Sequence, residues 1–168
     1  NLEAYKNFAC VVFFSLCNES GWGENLKRCA DLIHAKDSDF LVHCESLLGA
    51  GILNRDLQDK EYVPYTDIYS RMYSSADEND YFESGDSRPY FLCEYSHAMG
   101  NSCGDISAYW KKIYSDDRFI GGCVWEWCDH GFETVDENGN KFIAYGGDMG
   151  DREMNDGTFC CDGLVCWD

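Results

Sequence analysis

One stretch constrains this chain more than any other: residues 11–21, VVFFSLCNESG. Val11 to Phe14 is an unbroken run of β-branched and aromatic residues, the composition of a strand covered on both faces. The chemistry then changes within a few positions. Asn18 and Glu19 follow directly, and Gly21 and Gly23 bracket Trp22. A carboxylate just past the C-terminal end of a buried parallel strand stands where α/β barrels place catalytic groups. The same residues also fit a helix N-cap, with Asn18 or Ser20 capping a helix that begins near Glu24.

A second stretch repeats the arrangement. Residues 89–101 read PYFLCEYSHAMGN, where the short apolar strand Tyr90 to Cys93 delivers Glu94 at its C-terminal end. His97, Gly100 and Asn101 follow in the loop. Two strands that each end in a glutamate are the raw material of two-carboxylate glycoside chemistry.

Around these strands the chain reads as alternating β and α. Asn1 to Asn7 has the look of a last helical turn. The first strand spans Cys10 to Leu16, and a helix follows from about Glu24 to Ala35. Leu26, Cys29, Ala30 and Ile33 fall on one stripe of that helix, with Lys27, Arg28 and Asp31 facing water. Further strands are expected at Phe40 to Cys44, Thr66 to Ser70, Tyr90 to Glu94 and Phe119 to Trp125. Leu47 to Pro64 has no clear period, and Ala76 to Asp86 is acidic and reads as solvated. Ser102 is placed to cap a helix with Asp105 three residues on, and Ile106, Tyr109, Trp110 and Ile113 form its apolar stripe. Gly121 and Gly122 permit close packing in a crowded sheet. Asn138-Gly139 marks a hairpin turn, and the distal glutamate of a calcium loop is absent there. Strands alternating with helices argue for a parallel sheet with covering helices, and five of them make a partial barrel.

Bulk properties bound the function. The chain has 168 residues, fewer than the roughly 250 of a complete (β/α)8 barrel. Its net charge of −18 argues against nucleic acid and against an anionic membrane surface. Ala9 to Leu16 is too short to span a bilayer and lacks the basic flank of a signal peptide. The eleven cysteines have irregular spacing, with no C-x-x-C and no zinc-type Cys/His set. Cys10, Cys44, Cys93 and Cys123 lie in apolar strands, so they are expected to be reduced and to pack as small hydrophobes, in a cytoplasmic protein. Asn18-Glu19-Ser20 also fits the glycosylation pattern, which a catalytic turn does not serve.

The Asn18-Glu19 pair after Ser15-Leu16 and the run LCEYSHAMGN together resemble the β-galactosidases of glycoside hydrolase family 2. GGCVWEWCDHGF (121–132), YGGDMGD (145–151) and FCCDGLV (159–165) resemble the same family in the same order. The resemblance covers nearly the whole chain and is weakest from Glu45 to Pro89. It implies that residues 1–168 are the C-terminal half of the family's catalytic TIM barrel, roughly strands four to eight with their helices. It further implies hydrolysis of terminal β-D-galactosides with retention, through carboxyls about 5–5.5 Å apart.

By the same resemblance Glu19 is the general acid/base and Glu94 the nucleophile, and Asn18 bonds the sugar 2-hydroxyl. His97 matches a histidine that contacts sugar hydroxyls, and Trp125 the aromatic floor under the galactose. Met72 and Tyr73 match a pair whose tyrosine hydroxyl bonds the nucleophile. Phe159 and Asp162 match residues that bind galactose and a sodium ion, with Asp162 standing where the family usually has Asn. Glu19 matches one ligand of a magnesium site whose other protein ligands lie on strands upstream of Asn1. Trp110 and Trp127 have no such match and are expected in the core, and Glu126, Asp129 and His130 are assigned support. The implied partners are a β-galactoside, the remainder of a parent chain and, as an open question, further copies of the protein. Rival readings are a related specificity such as β-glucuronidase, a non-catalytic carbohydrate-binding fragment, and a cysteine-rich metal or redox protein.

Overall fold

A computed structural model of the chain describes residues 1–20, 23–45, 65–77, 86–100, 103–150 and 160–166. The order of elements is α1 (Leu2–Tyr5), β1 (Phe13–Ser15), α2 (Glu24–Lys36), β2 (Leu41–His43), β3 (Tyr69–Met72) and β4 (Tyr90–Tyr95). It continues with α3 (Ile106–Ile113), β5 (Phe119–Val124), β6 (Phe132–Val135) and β7 (Lys141–Ala144). The expected stretches around Leu47 to Pro64 and most of Ala76 to Asp86 lie outside the described residues.

Five strands run parallel. β1 pairs with β2, and β3, β4 and β5 form a second ladder in that order. Asp67 joins the two ladders: its N–H donates to the Val42 carbonyl at 2.9 Å, and its carboxylate accepts the Val42 N–H at 2.7 Å. The same carboxylate bonds His34 of α2 at 2.8 Å. This explains why β3 starts later than the Thr66 the sequence suggests. Asp67 is committed to β2, and Pro89 on the β4 side has no N–H, so the ladder opens at Tyr69 opposite Tyr90.

The sheet is curled. Phe13 of β1 meets Phe91 of β4 edge-on at 5.3 Å between ring centroids, although β2 and β3 stand between their strands. The concave face carries Phe13, Ser15, His43, Ser70 and Phe91, and the convex face carries Val42, Tyr90 and Leu92 beneath the helices. The fold is that of a partial TIM barrel, and among the described residues the sheet does not close.

α2 docks through Ala30 and Ile33, and Ile33 burial alone is worth about 1.5–3 kcal/mol. Cys29, assigned to the same stripe, is exposed, because the helix rests on the sheet along the Leu26–Ala30–Ile33 side only. α3 docks through Tyr109 and Ile113, with Tyr109 edge-on to Tyr95 at 4.8 Å. Its N-cap position is Asp105 at φ +57, without a side-chain capping bond, and Ser102 lies outside the described residues. Trp110 is 37% exposed, its indole N–H donating to the Tyr95 hydroxyl, and Trp127 is 67% exposed. Neither belongs to the core, because each falls on the solvent side of its segment. Cys10 and Cys123 are likewise exposed, while Cys44 is buried and Cys93 half-buried.

The expected hairpin is present between β6 and β7, with Val135 opposite Lys141 and Gly139 at φ +82. The Asp136 carboxylate closes the turn, accepting the N–H groups of Asn138 and Asn140 and the Asn140 amide. These bonds hold its pKa below the usual carboxylate range. Gly122 is where β5 needs a glycine: a Cβ there would stand 2.8 Å from the Leu92 carbonyl oxygen and 3.0 Å from the Leu92 Cβ. Gly122→Ala is expected to destabilise the fold by about 1–3 kcal/mol, as overpacked cores do, measured by urea unfolding. An unchanged midpoint would show that β4 and β5 are not packed this closely.

Candidate active site at the strand ends

Parallel strands present their carboxyl ends on one side of the sheet, so the residues just beyond each strand converge there. β1 leads to Cys17, Asn18 and Glu19; β2 to Cys44 and Glu45; β3 ends at Met72 and leads to Tyr73; β4 carries Glu94; β5 leads to Trp125 and Glu126.

Glu94 is the hub. Tyr73 donates its hydroxyl to Glu94 Oε2 at 2.5 Å, and its N–H bonds the Glu94 carbonyl at 2.8 Å. Met72 is the register partner of Glu94 across β3 and β4, with a register shift just before it. That irregularity turns Tyr73 toward the carboxylate. Tyr73 at φ +56, Ser96 at φ +53 and Glu19 at φ +47 are left-handed non-glycine residues at these strand ends. Such residues cost on the order of 1–3 kcal/mol each and cluster where function holds a side chain in place.

Burial pushes the Glu94 carboxyl above its ordinary pKa. The Tyr73 bond and the charge of His97 oppose that shift, and the charges of Glu19 and Glu126 add to it. The Tyr73 hydroxyl is pushed up as well, first by burial, then by its bond to Glu94, and by Glu19 among the further charges. Glu19 and Glu94, from strands that are not neighbours, therefore lie in one electrostatic field.

His97 packs against Tyr73 at 5.5 Å between centroids, and its Nδ1 accepts the Met99 N–H at 3.2 Å. In the neutral ring that leaves the proton on Nε2. Trp125 is tied on both sides, its N–H to the Tyr95 carbonyl and its carbonyl to the Ala98 N–H, each at 2.9 Å. Its indole N–H is buried with no partner among the described residues. The Trp125–Glu126 peptide bond is cis. Glu126 Oε2 bonds His130 at 2.7 Å, and Asp129 accepts the Gly163 N–H at 2.9 Å. Asn18 and Ser20 do not cap α2: its N-cap is Gly23, and the Ser20 hydroxyl donates to the Asn18 carbonyl at 2.8 Å.

Asp162 is wholly buried, and neither carboxylate oxygen has a hydrogen-bond partner among the described residues. An unpaired buried carboxylate is costly unless a cation or donor meets it. Asp162 thus fits an oxygen-liganded cation. Phe159 lies outside the described residues. Glu19 alone offers one carboxylate, whereas magnesium takes near-octahedral oxygen coordination.

The sequence reading overlooked a buried network beneath this rim. Glu45 Oε2 accepts from Ser70 and, at 3.2 Å, from the Cys93 thiol. His43 bonds Ser15 and Ser70, each at 2.8 Å, and burial lowers its pKa to about 4. Burial raises the pKa of Glu45 and, together with Glu45's negative charge, that of Cys93. His43, Glu45 and Cys93 bring N, O and S donor atoms within 4.8 Å of one another, the spacing of a metal-ligand set. The signal was available: FLVHCE is a third apolar strand that ends in a glutamate.

The family description "Glycosyl hydrolases family 2, TIM barrel domain" matches residues 1–168. The chain belongs to this family. Among curated relatives, a β-galactosidase of Staphylococcus xylosus is 44% identical over 95% of this chain. A β-galactosidase of Actinobacillus pleuropneumoniae is 41% identical over 98% of it. The chain spans 16% of the length of each. A solved Faecalibacterium prausnitzii β-glucuronidase shares the fold, with a TM-score of 0.51 and 16% identity, over 98% of this chain and 30% of that one. No helix among the described residues of this family 2 barrel segment is long and apolar enough to cross a membrane.

Proposed function

We propose that this chain is the C-terminal half, strands four to eight, of the catalytic barrel of a retaining β-galactosidase. The contact of Tyr73 with Glu94, in the field of Glu19, is the observation that supports the reading most directly. In this reading Glu94 attacks the anomeric carbon and forms the glycosyl-enzyme while Glu19 protonates the leaving oxygen. Glu19 then takes a proton from water, and the water oxygen displaces Glu94, so two inversions give net retention. The Tyr73 bond favours the carboxylate form that Glu94 needs to attack. Asn18 bonds the 2-hydroxyl, Trp125 forms the floor, and Met72, His97, Phe159 and Asp162 complete the sugar pocket.

Relatives named β-galactosidase at 36–44% identity support a galactoside over a glucuronide. A sodium ion held by Asp162 and Phe159 would supply an electrostatic anchor for a sugar hydroxyl. A magnesium ion beside Glu19 needs its other ligands from elsewhere in the parent chain. A cytoplasmic parent is part of the same reading, on eleven cysteines whose irregular spacing makes no disulfide framework.

The intact parent is expected to hydrolyse a chromogenic β-galactoside and to leave the β-glucuronide untouched; the reverse preference would overturn the assignment. The 168-residue chain alone is expected to show negligible turnover and no tight magnesium binding by calorimetry. It is also expected to self-associate through the apolar β1 edge or to rearrange that edge. Dilute monomer that turns over a galactoside like an intact enzyme would refute this.

Tyr73→Phe in the parent removes one hydrogen bond to a charged group, worth about 1.5–3 kcal/mol, so kcat/KM should fall roughly ten- to a hundredfold. Because that bond lowers the Glu94 pKa, its loss should move the acid limb of the kcat/KM profile to higher pH. An acid limb that stays in place would disconnect Tyr73 from the titrating group.

A further inference from the structure

We propose that Cys17 and Cys44 are a redox-active pair, forming a reversible disulfide that clamps the end of β1 to the end of β2. Their sulfurs stand 3.1 Å apart. Cys17 lies two residues beyond Ser15 and Cys44 one beyond His43, the last register pair of the two strands. The Leu16 N–H bonds the His43 carbonyl at 3.0 Å and keeps the chain ends side by side where the ladder stops.

Both residues lie beyond the last register pair, in segments the ladder does not fix, where the chain can meet the window of roughly 4.4–6.8 Å between Cα atoms that a disulfide needs. An S–S bond of about 2.05 Å therefore requires an approach of about 1 Å at side chains the ladder does not pin. Cys44 is buried and Cys17 half-buried, so an oxidant enters through Cys17. The Tyr65 hydroxyl lies in the field of both sulfurs: burial, and then the negative charge of Cys44 and Cys17 when ionised, raise its pKa.

The chemistry balances with a small disulfide such as oxidised glutathione. The Cys17 thiolate attacks one of its sulfurs and releases the other as a thiolate. Cys44 gives up its proton and attacks the Cys17 sulfur, which expels the second small thiolate. Two protein thiols are oxidised to one disulfide, and one small disulfide is reduced to two thiols. In a reducing compartment such bonds are transient and sensing rather than structural.

Cys17 directly precedes Asn18 and Glu19, and Cys44 directly precedes Glu45. Closing the bond pulls the backbone that holds Glu19 at φ +47. The disulfide itself is independent of the galactosidase reading; its effect on turnover rests on that reading.

The test uses the full chain, oxidised with excess oxidised glutathione and digested with trypsin under non-reducing conditions. Cleavage after Lys6, Lys27, Lys36 and Arg55 yields peptide 7–27, with Cys10 and Cys17, and peptide 37–55, with Cys44 as its one cysteine. The expected result is a cross-link between these peptides that fragmentation assigns to Cys17. It should disappear with dithiothreitol and in Cys17→Ala, and persist in Cys10→Ser. Cross-linking through Cys10, or none between these peptides, would overturn the pair. In the active parent, oxidation is expected to lower galactoside turnover at least tenfold, reversibly, with Cys17→Ala and Cys44→Ala both insensitive. A mapped disulfide with full activity would overturn the clamp on Glu19. A reduced parent that is folded and inactive on galactosides would count against the galactosidase reading and leave the mapped pair standing.

Discussion

Replacing Glu94 with glutamine in the intact parent is expected to abolish the glycosyl-enzyme and lower kcat/KM by on the order of 10⁴-fold or more, the scale seen when a nucleophile that acts within a unit is removed. The amide keeps the size of the side chain and can still accept the Tyr73 hydroxyl through its carbonyl oxygen, so the strand-end geometry survives. It cannot attack the anomeric carbon. A 2-fluoro-galactoside with a good leaving group should label the wild type, on the peptide that carries Glu94, and leave Glu94→Gln unlabelled. Unchanged thermal unfolding would separate lost chemistry from lost structure. Labelling at another carboxylate, Glu45 or Glu126 included, would overturn the assignment; Glu126 acts on the Glu94 charge, and Glu94 on that of Glu45.

The second large effect depends on the substrate. Glu19→Ala should reduce turnover of a poor leaving group, such as an alkyl galactoside, by about 10²- to 10⁴-fold, the contribution of a positioned proton donor. A dinitrophenyl galactoside, whose leaving group needs no proton, should form its intermediate at nearly the normal rate. The intermediate then accumulates, because water has no general base. Azide needs none and should restore turnover, with a β-galactosyl azide as product. Alanine inherits the same φ of +47 as Glu19, so the backbone cost is not new. Glu19→Gln provides a check that keeps the side-chain volume. Equal losses for good and poor leaving groups would count against Glu19 as the acid.

The strand-end positions of Glu19 and Glu94 are legible in the sequence because the signal is local. A strand buried on both faces shows as a continuous apolar run, and a carboxylate at its end breaks that run visibly. Helical stripes are local too, which is why α2 and α3 lie where Leu26, Ile33, Tyr109 and Ile113 put them. The β6–β7 turn follows from Asn138-Gly139 for the same reason. Periodicity says that a face is apolar, but not how much of it another element covers. Cys29, Trp110, Cys10 and Cys123 reach solvent on that account, and Trp127, expected in the core only for want of a family match, does so too.

Only the tertiary structure decided what meets across the sheet. Tyr73 reaches Glu94 because a register shift at the end of β3 turns it inward, and register is not written in either strand alone. FLVHCE shows a strand that ends in a glutamate, but not what meets His43 and Glu45. Curvature brings Ser15, Ser70 and Cys93 onto them, and burial shifts all three titratable groups toward their neutral forms. Asp162 became a buried carboxylate with no partner among the described residues, and Cys17 and Cys44 became neighbours, through contacts between segments distant in sequence. Composition and period set which residues leave water; the curl of the sheet set which of them share a field, a proton or a bond.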